Sequence, residues 1–484
     1  MDLRQAPELQ HDAPFEQWRG TQVWAFLQAA RAGDAETITR MLADDATLVR
    51  ASYWYMPAIH FAVREGHLEV VKLLAAAGAD LSYRSSLYGN DTLLMMTQER
   101  GHQAVAAYLQ EQLARQWQSR GEELPIHRAA SAGDLATVAR CLAETPALAR
   151  TGDHIGRSPF QRAMESGSIA VAALLLAHGA EVDQPSFSSD DRLGGPGFRP
   201  VVLALWYHPY WRQRNHYALA GWLLGRGADY SITIAAAMGD IARVRQLLAG
   251  DKTLANQAEA CGKRPLSAAA ERGHLAIVKE LLAHGAKPTL PEGPNCPHGH
   301  ALWAASHGNH LEMAELLLQH GADPNGYVES SGTPTDAAKI PAMRDLMMRH
   351  GGRMDPWSLV YEGKLDAVTA LLDQNPKVFD DPKRDGTPFT AAVTNHNQAM
   401  VELLLSRGVR VPGMLTGCQT YLWHDLALTR MLLEHGMDPN LPNWQSMTPM
   451  HFHARAGKVE LAQLFREFGA SLDLLDEEYR STPL

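Results

Sequence analysis

The residues best suited to chemistry are a cysteine and several histidines crowded into one stretch. Cys296, His298 and His300 alternate, and His307 and His310 follow closely. Thiolate and imidazole are preferred zinc ligands, and a loop beside a helix could close a tetrahedral site around them. CxHxH is nevertheless not a strong zinc pattern, and a polar loop tip followed by two turn histidines accounts for the same residues. The second reading is adopted, so no metal and no cofactor are expected. The sequence contains no Gly-rich phosphate cradle of the P-loop type, no GxSxG and no HExxH. Gly194-Gly195-Pro196-Gly197 lacks the lysine and helix start of a phosphate site. Acidic residues are scattered, so no carboxylate pair can be assigned. No catalytic residue is nominated, and a non-enzyme is expected.

Aromatic residues form the second notable set. Leu205-Trp206-Tyr207-His208-Pro209-Tyr210-Trp211 places four large rings where a plain turn would serve, and Pro209 can end the helix that precedes it. Large aromatics with arginine are the residues that anchor protein interfaces.

What positions these residues must be large. At 484 residues the chain exceeds a single hydrophobic core, with 45% hydrophobic and 20% charged residues, a folded composition. A formal net charge of −10 and the lack of any Lys/Arg run argue against nucleic acid as a partner. Cys141, Cys261, Cys296 and Cys418 are widely spaced, which fits free thiols in a reducing compartment. No secretory signal and no membrane-length apolar run are visible, so a cytoplasmic location is expected, with export into a host cell as the alternative.

Internal repetition decides the architecture. Ile59-His60-Phe61-Ala62-Val63-Arg64-Glu65-Gly66-His67-Leu68 runs on through Leu73-Leu74 to Gly78-Ala79-Asp80. The same grammar returns from Pro265 through Gly273-His274-Leu275 to Gly285-Ala286, and from Thr448-Pro449-Met450-His451 through Gly457 to Gly469-Ala470. Apolar positions fall in two short helical stripes per unit, as with Ile169, Ala172, Leu175 and Leu176. Glycines such as Gly33, Gly66, Gly273 and Gly308 recur where the first helix must reverse, a position suited to left-handed φ. A histidine precedes the exit glycine at His178, His284, His320, His350 and His435, where it can meet the last carbonyls. A variant with Gly-Asp at Gly33, Gly133 and Gly239, or Gly-Lys at Gly363, carries a longer tail after its second helix.

These strings resemble the ankyrin repeat, with its TPLH box, Ala-Ala pair, Gly-His turn and Gly-Ala exit. The resemblance implies an all-α solenoid of stacked helix-turn-helix units with loop fingers, in about fourteen units. The expected layout is an N-terminal extension over 1–22 and an array over 23–484, with an inserted surface loop at 184–199. Glu478-Tyr479-Arg480-Ser481-Thr482-Pro483-Leu484 reads as the opening of a further unit, so the array is expected to be cut short there. The resemblance further implies a monomeric scaffold or adaptor that grips a protein partner by its concave face, without inserting into a membrane. Two alternatives remain: a pocketed ligand-binding or catalytic protein, using the 184–216 insertion and the 296–310 loop, and an array that targets an effector domain beyond 484.

Carried over position by position, the concave column is Arg64-Glu65, Glu99-Arg100, Glu165-Ser166, Trp206-Tyr207, Glu271-Arg272, Ser306-His307, Tyr361-Glu362, Leu422-Trp423 and Arg455-Ala456. The finger tips add Tyr53, Trp54, Tyr55, Tyr88, His154, Arg157 and Trp444, and Tyr210 and Trp211 extend the aromatic cluster. Exposed rings on such tips serve no packing need, so recognition is the role assigned to them.

Overall fold

In the computed structural model the described residues are 5, 9, 14–15, 18–85, 91–117, 123–153, 156–185, 198–206, 216–259, 262–290, 292, 301–326, 332–380, 387–411 and 425–484. They form short antiparallel helix pairs in two compact units. One unit comprises 30–50 and 56–353, and the other 1–29, 51–55 and 354–484.

Within the larger unit the pairs are α2 (Ala35–Asp44, paired with the end of α1, Gly20–Ala32), α3 (Ala58–Arg64) with α4 (Leu68–Ala76), and α5 (Leu93–Arg100) with α6 (Gln103–Trp117). They continue as α7 (Pro125–Ala132) with α8 (Leu135–Glu144), α9 (Pro159–Ser166) with α10 (Ile169–Ala177), and α11 (Pro200–Trp206) with α12 (Tyr217–Leu224). Three further pairs follow: α13 (Ile232–Met238) with α14 (Ile241–Gly250), α15 (Pro265–Glu271) with α16 (Leu275–Ala283), and α17 (Ala301–His307) with α18 (Leu311–Gln319). α19 (Pro341–Arg349) closes the unit without an inner helix before it, and there Thr335 is buried with its hydroxyl on Pro324 O at 2.8 Å. The other unit holds α20 (Pro356–Tyr361) with α21 (Leu365–Gln374), α22 (Thr387–Thr394) with α23 (Gln398–Ser406), α24 (Leu426–Glu434), and α25 (Pro449–Arg455) with α26 (Val459–Glu467). Ahead of α1, Pro14–Phe15 pairs antiparallel with Trp18–Arg19. No described helix is long and apolar enough to cross a membrane.

An inner helix of seven residues cannot hold itself in water, so each unit depends on its neighbours. The fifth residue after six of the turns shows how complete that dependence is. Ile38, Val71, Val138, Val244, Val278 and Val368 all sit there with no exposure, clamped between successive pairs. Small residues at Ala129-Ala130, Ala236-Ala237 and Ala304-Ala305 let inner helices approach, and all are buried.

The turn glycines carry the predicted left-handed backbone, with φ of +81° at Gly66 and +73° at Gly273. Gly308 is a correction. His310 N bonds Ala305 O at 2.8 Å as His274 N bonds Ala269 O at 2.9 Å, so Asn309, at φ +58°, occupies the reversal and Gly308 precedes it. Asparagine tolerates this region better than other side chains, which is why the register can slip by one residue.

Three polar devices tie unit to unit. The histidine after the turn donates back to the preceding inner helix: His67 Nε2 to Arg31 O at 2.8 Å and His102 Nε2 to Arg64 O at 3.1 Å. The histidine before the exit glycine donates to its own helix end, as His178 Nδ1 does to Leu174 O at 2.9 Å and His284 Nδ1 to Glu280 O at 2.9 Å. In the Gly-Asp variant Asp34, Asp134 and Asp240 cap the outer helix, accepting from Thr37 N, Thr137 N and Arg243 N. The hydrogen bonds to Thr37 hold the Asp34 carboxyl below the usual range. The longer tails form 3₁₀ turns at Ala46–Arg50, Pro146–Arg150 and Lys252–Asn256.

Candidate functional site

The column expected to face a partner consists of the last residues of the inner helices, because the glycine turn lifts the chain away immediately after them. In the larger unit those side chains are cross-linked by charge. Arg64 Nη1 donates to Glu99 Oε2 at 2.8 Å, and Arg100 lies 3.7 Å from Glu65. The two pairs cross in opposite directions between adjacent turns. The Arg64 side chain is 2% exposed and that of Arg100 14%, whereas Glu99 is 42% exposed and Glu65 17%, so the first pair reaches solvent at its acidic end.

A denser network underlies Glu165. Arg162 Nε donates to Asp153 Oδ2 at 2.6 Å and its Nη1 to Glu165 Oε1 at 2.9 Å, while Arg157 Nη1 donates to the same Glu165 oxygen at 3.2 Å. The Ser131 hydroxyl donates to the other Glu165 oxygen, and Glu123 stands 3.6 Å from Arg162. Burial alone would lower the Arg162 pKa, but Asp153 and Glu165 outweigh it and raise the net value. Lys263 repeats the motif, 3.0 Å from Glu271 and 3.6 Å from Glu292.

Arg157 and Arg272 were expected to face solvent, and both are turned inward. Arg157 is fully buried because it neutralises Glu165 from beneath the turn. Arg272 Nη2 donates to Leu205 O at 2.6 Å and its guanidinium lies 5.5 Å from the centre of the Tyr217 ring, which leaves its side chain 6% exposed. Trp206 is half-buried at the end of α11, next in the chain to Leu205, whose carbonyl Arg272 holds. The base of the insertion is fixed by Arg199, which bonds Asp229 at 2.7 Å and Glu259 at 3.0 Å.

His307 stacks on Trp303, with centroids 4.8 Å apart and planes at 11°, and accepts from Lys339 Nζ at 2.9 Å through Nε2. Burial, and then the Lys339 charge, push its pKa down. With Asn309 in the reversal, the column position here is His307-Gly308 instead of Ser306-His307, and Ser306 is buried with its hydroxyl on Pro334 O.

In the other unit Tyr361 is the most open of the nominated aromatics among the described residues, at 60% exposure, and Arg455 is exposed. Tyr53 and Trp444 were expected on open tips and are instead 2% and 1% exposed. Their rings meet edge to face at 4.9 Å, so each supplies the other's cover. Trp54 is half-buried and Tyr55 is 40% exposed. Tyr88, His154, Tyr207, Tyr210, Trp211 and Trp423 lie outside the described residues, as do Cys296, His298 and His300. Among the described residues no three His, Cys, Asp or Glu gather as a metal site. An open apolar groove of about 720 Å³ is lined by described residues of 450–484, among them Met450, Val459, Ala462 and Leu484.

Sequence reasoning missed the clamps formed by finger asparagines. Asn440 donates to Gly469 O at 3.3 Å and accepts from Ser471 N at 2.7 Å, and Asn256 does the same to Gly285 and Lys287. Their places, Asn440 four residues after the exit Gly436 and Asn256 closing the 3₁₀ tail, were the available signal.

A family model described as ankyrin repeats (3 copies) matches residues 26–120 and 232–327. The ankyrin repeat protein nuc-2 of Neurospora crassa is 30% identical over 132 residues, which make up 25% of this chain and 12% of that protein. The chain therefore matches only a small part of that relative's length. The crystal structure of the human ASB11 ankyrin repeat domain is 21% identical, covering 48% of this chain and all of that one, with a TM-score of 0.29.

Proposed function

This chain is an ankyrin-repeat protein, and on that premise we propose that it is a non-catalytic cytoplasmic scaffold, acting as a monomer, that holds a protein partner along its concave face. One observation carries the reading: the concave side chains are locked before any partner arrives. The crossed pairs Arg64–Glu99 and Arg100–Glu65 hold long, rotamer-rich side chains in one geometry. The immobilisation cost of about 0.5–1.5 kcal/mol for each such side chain is thereby met during folding and not during association. Rings and cations such as Tyr361 and Arg455, left open at equivalent turns, are the chemistry that anchors interfaces.

The test is affinity capture with the full chain, followed by mass spectrometry, comparing the parent with the Tyr361→Ala, Arg455→Ala double variant. The expected outcome is loss of specific partners with unchanged helical circular dichroism, since such surface changes move stability by only about 0.5 kcal/mol. Retention of every partner by the double variant would refute recognition through this face.

A further inference from the structure

The outer helix α26 carries unusual residues along the stripe that other outer helices bury. The ninth residue after Gly133, Gly239, Gly273 and Gly363 is a leucine, and Leu142, Leu248, Leu282 and Leu372 are all buried. The ninth after Gly457 is Arg466, which is exposed. The fifth, a fully buried valine at Val138 and Val278, is here the half-buried Ala462. Val459, at the head of the same stripe, is 64% exposed.

Val459, Ala462, Gln463 and Arg466 follow the three- and four-residue spacing of one helix face, and they line the open groove together with Met450 and Leu484. Elsewhere successive outer helices pack on one another, as α10 does on α8 and α16 on α14, so a stripe of this kind is shaped to receive a helix. Its charge, however, is wrong for an ordinary unit. A helix packed over Arg466 would meet a guanidinium where leucine usually sits, and covering an unpaired cation is costly. Lys458 stands at the same rim, and among the described residues neither cation has an acidic partner. Glu467, which also lines the groove, is held by Arg430 at 2.7 Å. Positive charge therefore borders an apolar floor, on a chain whose formal net charge is −10.

We propose that this groove is a separate docking site, which takes an acidic amphipathic helix of a partner protein laid along α26. It is formed mainly by an outer helix and not by the concave column, so it goes beyond the scaffold reading above. Apolar side chains of the incoming helix, three and four residues apart, cover Val459, Ala462 and Leu484. Its flanking aspartates or glutamates meet Lys458 and Arg466, which supplies the counter-charge that a neutral or basic helix lacks.

The test uses the full chain and three fluorescent synthetic helices of about 20 residues, long enough to remain helical. All three share one leucine stripe, flanked by glutamate, by glutamine or by lysine. Fluorescence anisotropy is expected to show the glutamate helix binding about tenfold more tightly than the glutamine helix, since two exposed ion pairs each contribute a few-fold. That advantage should vanish in about 0.5 M salt. Val459→Asp is expected to weaken the glutamate helix about tenfold by spoiling the apolar floor. Arg466→Glu is expected to abolish the preference and admit the lysine helix, a gain that a misfolded chain could not show. Equal binding of the three helices, or binding of none, overturns the proposal. A concentration-dependent dimer in light scattering, abolished by Val459→Asp, would assign the face to a second copy of the chain and overturn it as well.

Discussion

Replacing Arg162 by methionine tests the claim that the concave side chains are locked by buried charge. Methionine keeps an unbranched stem of similar volume and removes the guanidinium alone. In the parent, that group holds Asp153, whose side chain is fully buried, and Glu165, whose side chain is 10% exposed. Removing one partner of a buried pair costs about 3–5 kcal/mol, because the remaining charge is stranded away from water. Arg157 still reaches Glu165 at 3.2 Å, and Asp153 still accepts from Arg157 N at 2.9 Å, so the low end of about 3 kcal/mol is expected. Stacked repeats are coupled mainly to their neighbours, so the loss concentrates on α7 and α9. Native-state hydrogen exchange should show their amide protection falling about 100-fold, with little change in α15 and α16. Lowering the solution to about pH 4 neutralises the stranded carboxylates, and the gap between variant and parent should narrow. A fall below about tenfold, or a gap that ignores pH, would mean that water screens the network and that it locks nothing.

Two smaller predictions follow from the turns and the boxes. Gly66→Ala should destabilise by more than Gly78→Ala, although both have positive φ (+81° and +95°). A Cβ at Gly66 would lie 2.5 Å from His102 Nδ1, whereas one at Gly78 meets nothing within 4 Å. Both lose about 1–2 kcal/mol to the left-handed backbone, and only the first also forfeits the His102 bond to Arg64 O, worth about 1 kcal/mol; equal urea midpoints would refute this. His127 is buried and neutral, its Nδ1 accepting from Leu124 N at 3.1 Å and its Nε2 donating to Thr151 O at 2.8 Å. Burial lowers its pKa below the ordinary 6.5, despite the nearby Asp153 charge. The unfolded chain therefore binds the proton first, so this contribution is complete above about pH 6.5 and is lost as pH falls toward the folded value. His127→Gln should flatten the fall in thermal midpoint across that window, and an unchanged slope would exclude His127 as its source.

The repeat architecture was legible in the sequence because it depends on local, periodic facts. Glycine tolerates the reversal at Gly66, alanines permit close helices at Ala236-Ala237, and an aspartate after the turn caps a helix at Asp134. Each acts within one unit, and repetition makes it visible. The exposure of individual side chains was not legible, because it depends on residues far away in the chain. Tyr53 is covered by Trp444, Arg272 is drawn in by the Leu205 carbonyl, and Arg157 is buried by the charge on Glu165. The shift at Gly308 was different in kind and local, since the hydrogen bond from His310 N to Ala305 O selects Asn309 as the residue that turns. Residue types and spacing thus determined what kind of wall this chain builds. Which side chains stand out from it was decided by long-range burial and charge pairing, quantities that exist only once the repeats have stacked.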